Sequence, residues 1–318
     1  MYSTGTLLKT DNPAIYIVDN NEIRHITNLA SYISFGFQEK DYRKISDQEL
    51  SRLNPGKPIG DWRDLSPDLK LYIKEHLWRE KLAVDIIIVN YNSLPHLKKC
   101  LQSIYTNTDY PYNIIIIDNN STDKSREFLA RLNNITVVYN QKNRGCAAAW
   151  NQGIKKGSNN FIVLLNPDTE VTLDWLYPLV KTAAANQDIA LIGTKHVNEN
   201  EAVIHAGVIK KNNKFIIRKH PRDNPDVYNE PGDVARIHGA CFMIKRELIP
   251  KLGYFDERYF LYSEETDYCL NAQNKGYRIY YYPVKIYHYE KGASIDQRKR
   301  QKIRLESIDK FKKKWGTK

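Results

Sequence analysis

Between residues 84 and 171 the chain repeats one pattern. A short uninterrupted apolar run stops at a cluster of Asn and Asp, and a stretch with helical spacing follows. VDIIIVNYN (84–92), YNIIIIDNNST (112–122), ITVVYNQ (135–141) and FIVLLNPDTEV (161–171) read as strands. HLKKCLQSIYTNT (96–108), TDKSREFLARLN (122–133) and GCAAAWNQGIKKG (145–157) read as helices. Strands without polar alternation are covered on both faces, and strand–helix alternation produces parallel sheets. The expected fold class is therefore α/β, with a parallel sheet covered by helices on both faces.

In such a sheet ligands gather outside the carboxyl ends of the strands, where strand order reverses. Three of those ends are Asn90-Tyr91-Asn92, Asp118-Asn119-Asn120 and Asn166-Pro167-Asp168. Each alone is turn chemistry. Together on one edge they outline a crevice, and a carboxylate such as Asp168 can hold a divalent cation against a phosphate. Neither GxGxxG nor GxxxxGK[ST] follows the first strand, which weighs against a dehydrogenase and a P-loop NTPase.

The rest of the 318 residues is organised around this block. AIYIVDNNEIRHIT (14–27) reads as two strands around a polar turn, NLASYISFGF (28–37) as a short helix, and NPGKPIGD (54–61) as a loop. Residues 1–60 thus form a small α+β accessory module. Residues 66–82 read as a helix capped by Ser66 with Pro67 at its first position, so 61–82 link the module to a main domain over 83–295. Residues 296–318 form a basic helix on or extending that domain, with Ile308, Phe311 and Trp315 on one face.

The formal charge is +11, and Lys and Arg concentrate in QRKRQKIRLESIDKFKKKWGTK (297–318). Without zinc-finger spacing or aromatic RNA-binding motifs, nucleic acid is not the expected partner. The basic face of the last helix also suits peripheral contact with an anionic membrane. Cys100, Cys146, Cys241 and Cys269 show no metal spacing and read as reduced core thiols. No apolar run is long enough to cross a bilayer and no signal segment leads the chain, so the expected location is cytoplasmic, at most peripheral at the inner face of the plasma membrane.

The ordered set VDIIIVNYNS, IIIIDNNSTD, NRGCAAAWNQGI and LLNPDTE, continued by HGACFMIKREL (238–248), YFLYSEETDYCLNAQNKGYRI (259–279), YHYEKGAS (287–294) and FKKKWG (311–316), resembles the inverting glycosyltransferases of family 2 with the GT-A fold. LLNPDTE resembles the rhamnosyltransferase-like branch. The resemblance covers roughly residues 84–316 and implies a Rossmann-like mixed, mostly parallel form of the α/β sheet.

It implies a role for each matched position. Tyr91 or Asn92, with Asp118 and Asn120, would hold the nucleotide base and ribose; a carboxylate accepts hydrogen bonds from a pyrimidine N–H or from ribose hydroxyls. The other reading of Asp118 is an Asx-turn or helix cap. Arg144, Gly145 and Asn151 match the next nucleotide-side segment, where Gly145 permits close backbone approach. Asn166-Pro167-Asp168 stands where the family carries DxD, with Asn166 in place of the first acid. Asp168 would hold Mn2+ or Mg2+, and His288 would complete the metal shell. Glu265 matches the base that deprotonates the acceptor hydroxyl, with Glu264 and Asp267 in support. Clustered carboxylates raise one another's pKa, which suits a base. The same acids also suit a helix N-terminus capped by Ser263.

The function so implied is metal-dependent inverting transfer of a sugar from a UDP- or dTDP-sugar to a hydroxyl of a glycan or lipid-linked glycan. The alternatives are a binding protein of the same fold that has lost activity, and a nucleotidyltransferase. Acceptor recognition would fall to variable loops such as KHVNENEAVIHAGVIKKNNKF (195–215).

Overall fold

The computed structural model describes residues 2–27, 37, 42–60, 62–73, 83–212, 214–220, 226–290 and 296–316. It divides into two compact units, Met1–Ala83 with Val180–Gln187, and Val84–Leu179 with Asp188–Lys318. Residues 61–83 thus group with the N-terminal module.

In the first unit, β1 (Leu7–Lys9), β2 (Ile15–Asp19) and β3 (Glu22–His25) form an antiparallel meander. The edges are β4 (Tyr42–Lys44), parallel to β1, and β5 (Asn54–Pro55), parallel to β3. Asn20 and Asn21 join β2 to β3 with φ of 50° and 67°, the double positive φ of a tight hairpin turn. Leu8, Val18, Ile23 and Ile45 make its core. Asp19 is buried; it pairs with Arg24 at 2.5 Å and accepts a hydrogen bond from the Ser66 hydroxyl. Ser66 in turn caps α2 (Pro67–Tyr72), which follows α1 (Asp47–Leu50). Segment 54–61, expected as loop throughout, opens with the two paired residues of β5. The helix expected over 28–37 lies outside the described residues except Phe37, and so does 74–82 of the expected linker helix.

The second unit carries β6 (Val84–Asn90), α3 (Leu94–Asn107), β7 (Tyr112–Asp118), α4 (Ser125–Leu129), β8 (Thr136–Tyr139), α5 (Cys146–Lys156), β9 (Phe161–Leu165), β10 (Thr169–Val171) and the start of α6 (Leu176–Ala185). Then come β11 (Ile189–Val197), β12 (Val203–His205), β13 (Val208–Lys211), β14 (Lys214–Ile217), β15 (Gly232–Asp233), β16 (Cys241–Lys245), α7 (Ile249–Leu252), α8 (Glu264–Asn274), β17 (Arg278–His288) and α9 (Gln297–Trp315).

The main sheet runs β10-β17-β11-β16-β9-β6-β7-β8. β8, β7, β6 and β9 are parallel, as the alternating pattern predicts. The chain moves outward from β6 to β7 and β8, then returns to place β9 on the other side of β6. The order therefore reverses between β6 and β9, and a crevice opens at their carboxyl ends. Beyond β9 the sheet becomes mixed, because β16 enters antiparallel between β9 and β11 while β11 and β17 are parallel. Segment 195–215, expected as acceptor loop, is largely strand, and β12 pairs with the end of β11.

Ile87, Ile115, Ile117, Ile162 and Leu164 anchor the core. At the amino end of β6, away from the crevice, buried Asp85 pairs with Arg246 at 2.7 Å and accepts the Asn159 N–H at 2.9 Å. All four cysteines are free thiols. Among the described residues no helix is long and apolar enough to cross a membrane.

Candidate active site

A cleft of about 500 Å³ opens at the carboxyl ends of β6 and β9. Val89, Tyr91, Asn119, Asn143, Asn166, Pro167 and Asp168 line one part of it, and His238, Gly239, Tyr262, Glu264, Glu265 and His288 another.

On the strand-end side, Tyr91 reaches the wall. Asn92, Asp118 and Asn120 do not, which corrects their expected role. Asn92 has φ 50°, and its Oδ1 accepts the Thr122 N–H at 2.6 Å, tying the end of β6 to the loop after β7. Asp118 is fully buried, and its Oδ2 is taken by Arg126 Nε at 2.7 Å and by the Ser121 N–H at 3.1 Å. Its charge is neutralised inside the fold, as the Asx-turn reading has it. Asn120, at φ 69°, serves the turn.

Asn119 faces the cleft instead. Its Nδ2 donates to Asn143 Oδ1 at 2.8 Å, and its Oδ1 accepts from Asn140 Nδ2 and the Arg144 N–H, each at 3.0 Å. The Arg144 side chain is exposed and off the wall. Asn151 is also corrected. Its Nδ2 donates to Phe255 O at 2.8 Å and its Oδ1 accepts the Phe255 N–H at 2.9 Å, so it clamps backbone to backbone.

Gly145 is the close approach the sequence suggested, but toward protein. At φ +81° a Cβ there would stand 2.5 Å from Phe260 O, and the Cys146 N–H donates to that oxygen at 2.6 Å. This contact holds the loop ahead of α8 over the start of α5.

Pro167 ends β9 and turns Asp168 into the cleft, where it is 3% exposed. β10 pairs with β17 so that Thr169 lies opposite His288. His288 Nε2 thereby stands 3.6 Å from Asp168 Oδ2, beyond hydrogen-bond length. The two donors converge without consuming each other's lone pairs.

Around them lie three histidines that sequence reasoning passed over, His196, His205 and His238. Ring centroids are 5.1 Å apart for His196 and His238, 5.8 Å for His196 and His288, and 4.9 Å for His205 and His238. One ring nitrogen each from His196, His238 and His288 falls within 4.8 Å of the others. Burial and mutual repulsion hold His196 and His238 well below the usual imidazole range and His205 at about 4, so these rings are neutral at neutral pH. Neutral imidazole and carboxylate are metal ligands, and among the described residues the buried Nδ1 of His196 and of His288 meets no hydrogen-bond partner. The donor set fits a divalent cation. No spacing motif could have revealed it, because the residues come from separate strands and loops.

Glu264 and Glu265 open α8. The preceding Tyr262 and Ser263 are left-handed, at φ 70° and 71°. Ser263 makes no side-chain cap, contrary to the capping expectation, because a capping residue needs extended backbone. The left-handed pair instead turns the first two carboxylates of α8 into the cleft. Burial and the neighbouring Glu265 charge push Glu264 up to about 8. Glu265 is raised by burial, with backbone N–H groups, Thr266 and Arg236 working against the rise.

Asp267 does not support them. Its Oδ1 accepts from Trp315 Nε1 at 2.7 Å and its Oδ2 from Lys314 Nζ at 2.8 Å. It is the anchor on which α9 docks, helped by the Ser307 hydroxyl donating to Leu261 O at 2.8 Å. Docking brings Arg300 and Arg304 to the cleft wall, so the basic face is not wholly solvated.

Residues 85–253 match the model of the family described as Glycosyl transferase family 2. Over 213 residues the chain is 22% identical to the low-salt glycan biosynthesis hexosyltransferase Agl10 of Haloferax volcanii, covering 62% of this chain and 63% of that protein. It is 26% identical over 212 residues to the glycosyltransferase GlyA of Streptococcus pneumoniae, covering 62% of this chain and 30% of that one. The match thus spans less than two thirds of either relative. GalNAc-T7 with UDP, GalNAc and Mn2+ superposes with a TM-score of 0.54 at 20% identity, over 66% of this chain and 44% of that one. The mannosyltransferase PcManGT from Pyrobaculum calidifontis, with GDP-Man and Mn2+, gives 0.50 at 21% identity, over 69% and 59%. At such identities the likeness to both structures is one of fold.

Proposed function

The chain belongs to glycosyl transferase family 2, and on that footing we propose that it moves a sugar, with inversion, from a UDP- or dTDP-sugar to a hydroxyl of a glycan or lipid-linked glycan, using Mn2+ or Mg2+. The observation that carries this reading is that Asp168 and Glu265 face one cleft at the strand-order switch. A cation ligand and a base are the two groups an inverting transfer needs opposite each other.

Tyr91 offers a ring at the carboxyl end of β6 for the base, beside the amides of Asn119 and Asn143. Asp168 and His288 would hold the cation, which when bound offsets the negative charge developing on the departing diphosphate. Arg300 and Arg304 add positive charge at the same wall.

Glu264 and Glu265 share the acid–base work unequally. One negative charge on the pair rests best on Glu265, because Arg236 and the N–H groups of the first turn of α8 favour it there. Glu264 then holds the proton. Glu265 removes the proton of the acceptor hydroxyl as its oxygen attacks the anomeric carbon and the bond to the diphosphate breaks. One displacement inverts the centre and needs no covalent sugar–enzyme intermediate. A lipid-linked acceptor would bring the protein to a membrane surface, which the exposed Lys312 and Lys313 of α9 suit.

The test is a melting screen with UDP, dTDP, GDP and CDP, each with Mn2+, Mg2+ or EDTA. A native-state ligand at a hundred times its Kd stabilises by about 2.7 kcal/mol. A metal-dependent rise with UDP or dTDP, followed by nucleotide release on adding acceptor, is the expected result. No rise with any diphosphate in a cooperatively melting protein would refute the reading.

A further inference from the structure

We propose that the cation in this cleft is bound mainly by nitrogen: His196, His238 and His288 form a three-imidazole site with Asp168 as oxygen partner, suited to a transition-series ion and selective against Mg2+. This rests on the transferase reading only in assigning the ion to donor binding; the site itself is argued from the side chains.

The sheet builds the site. β11 and β17 are parallel, with His196 in register with Ile286, so His288 lies two residues further along the same face of the sheet. His238 comes in from the segment before β16, its ring 5.1 Å from His196 and 5.3 Å from His288. The grouped ligand atoms are all imidazole nitrogens, and Asn166, at the first acid position of the strand-end motif, is uncharged.

Hydrogen bonding sets the tautomer of His196. Thr194 Oγ1 donates to Cys241 O at 3.2 Å and lies 3.0 Å from His196 Nε2. A hydroxyl has one proton, so it accepts from His196 Nε2–H, and the lone pair is left on Nδ1. That Nδ1 is buried and has no hydrogen-bond partner among the described residues. Orienting a ligand imidazole through its other nitrogen is how metal sites hold their histidines. His238 meets the Ala240 N–H through Nδ1 at 3.2 Å, a long contact that a metal can replace. His205 accepts the Gly207 N–H at 3.1 Å and backs the site without belonging to the close group.

The donor set decides the ion. Mg2+ requires near-octahedral oxygen ligation and dehydrates reluctantly. Three imidazoles and one carboxylate favour first-row transition ions, with affinity rising from Mn2+ through Co2+ and Zn2+ over Mg2+.

The experiment is a Co2+ titration of the metal-stripped full chain, followed by visible d–d absorption, with Zn2+, Mn2+ and Mg2+ as competitors. We expect saturable bands more intense than those of aqueous Co2+, bleached by Zn2+, bleached by Mn2+ at higher concentration, and unmoved by excess Mg2+. His196→Ala should weaken Co2+ binding at least tenfold. An aqueous-type spectrum, displacement by Mg2+ as easily as by Mn2+, or unchanged affinity in His196→Ala would overturn the proposal. If His196→Ala does not melt cooperatively, His238→Asn on the half-buried wall decides by the same criterion. Co2+ binding as described with no nucleotide binding leaves this site standing and removes the transferase reading. Nucleotide binding supported equally by Mg2+ and Mn2+ does the opposite.

Discussion

His288 Nε2 stands 3.6 Å from Asp168 Oδ2, and the pair exists because β10 and β17 are antiparallel with Thr169 opposite His288. The register of two strands, distant in sequence, sets the distance between these two side chains. Substitutions at the pair should act on ligand binding before they act on the fold.

Asp168→Ala should weaken metal-dependent stabilisation by UDP or dTDP while the metal-free melting temperature moves little. Equal nucleotide affinity with and without metal, in the wild type and in the variant, would show that Asp168 holds no cation.

Glu265→Gln should retain donor affinity and lose turnover by about 10²- to 10⁴-fold, the usual contribution of a positioned base. Donor binding by calorimetry, set beside the single-turnover rate, checks this. A fully active variant places the base elsewhere.

Glu264 makes stability depend on pH. Its folded pKa of about 8 lies above the unfolded carboxylate range. Its stabilising effect is therefore complete below about pH 4.3 and is lost as pH rises toward 8, at up to about 1.4 kcal/mol per pH unit. Glu264→Gln removes the buried charge, so it should be more stable than wild type at pH 8, with the gain shrinking toward pH 5. Urea midpoints at both pH values test this, and an equal shift at both contradicts it.

Asp267→Ala removes the acceptor of Trp315 Nε1 and one of the two acceptors of Lys314 Nζ, which keeps Asp256. The expected loss is about 2–3 kcal/mol, the scale of a hydrogen bond to a charged group. Residues after 296 should become sensitive to limited proteolysis. Protection equal to wild type would mean that α9 is held by other contacts.

Gly145→Ala places a Cβ against Phe260 O in a left-handed backbone. A loss of about 1–3 kcal/mol is expected, together with weaker donor binding, because the loop ahead of α8 loses its seat. Wild-type stability and affinity would remove Gly145 from the site's support.

The strand ends carried much of the site in their residue types. Tyr91, Asn166, Asp168, Glu264, Glu265 and His288 all line the cleft. Asn92, Asp118, Asn120, Asn151 and Asp267 do not, although nothing in their local pattern sets them apart. A polar side chain at a strand end or a helix start can turn toward the crevice or back onto a neighbouring backbone. Arg126, Thr122, Phe255 and Trp315, each brought in by a different element, decide which.

The apolar runs and their periodicity determine the alternating architecture, because strand and helix periods are local properties of the chain. The Asn and Asp clusters likewise mark the edge on which chemistry gathers. Only the tertiary structure decides that His196, His238 and His288 meet beside Asp168, that Asp118 and Asp267 are neutralised inside the fold, and that Arg300 and Arg304 reach the cleft. Those outcomes depend on which strands pair, in what direction and in which register. A one-residue slip would turn each side chain to the opposite face, and that choice belongs to the whole packed core rather than to any stretch of sequence.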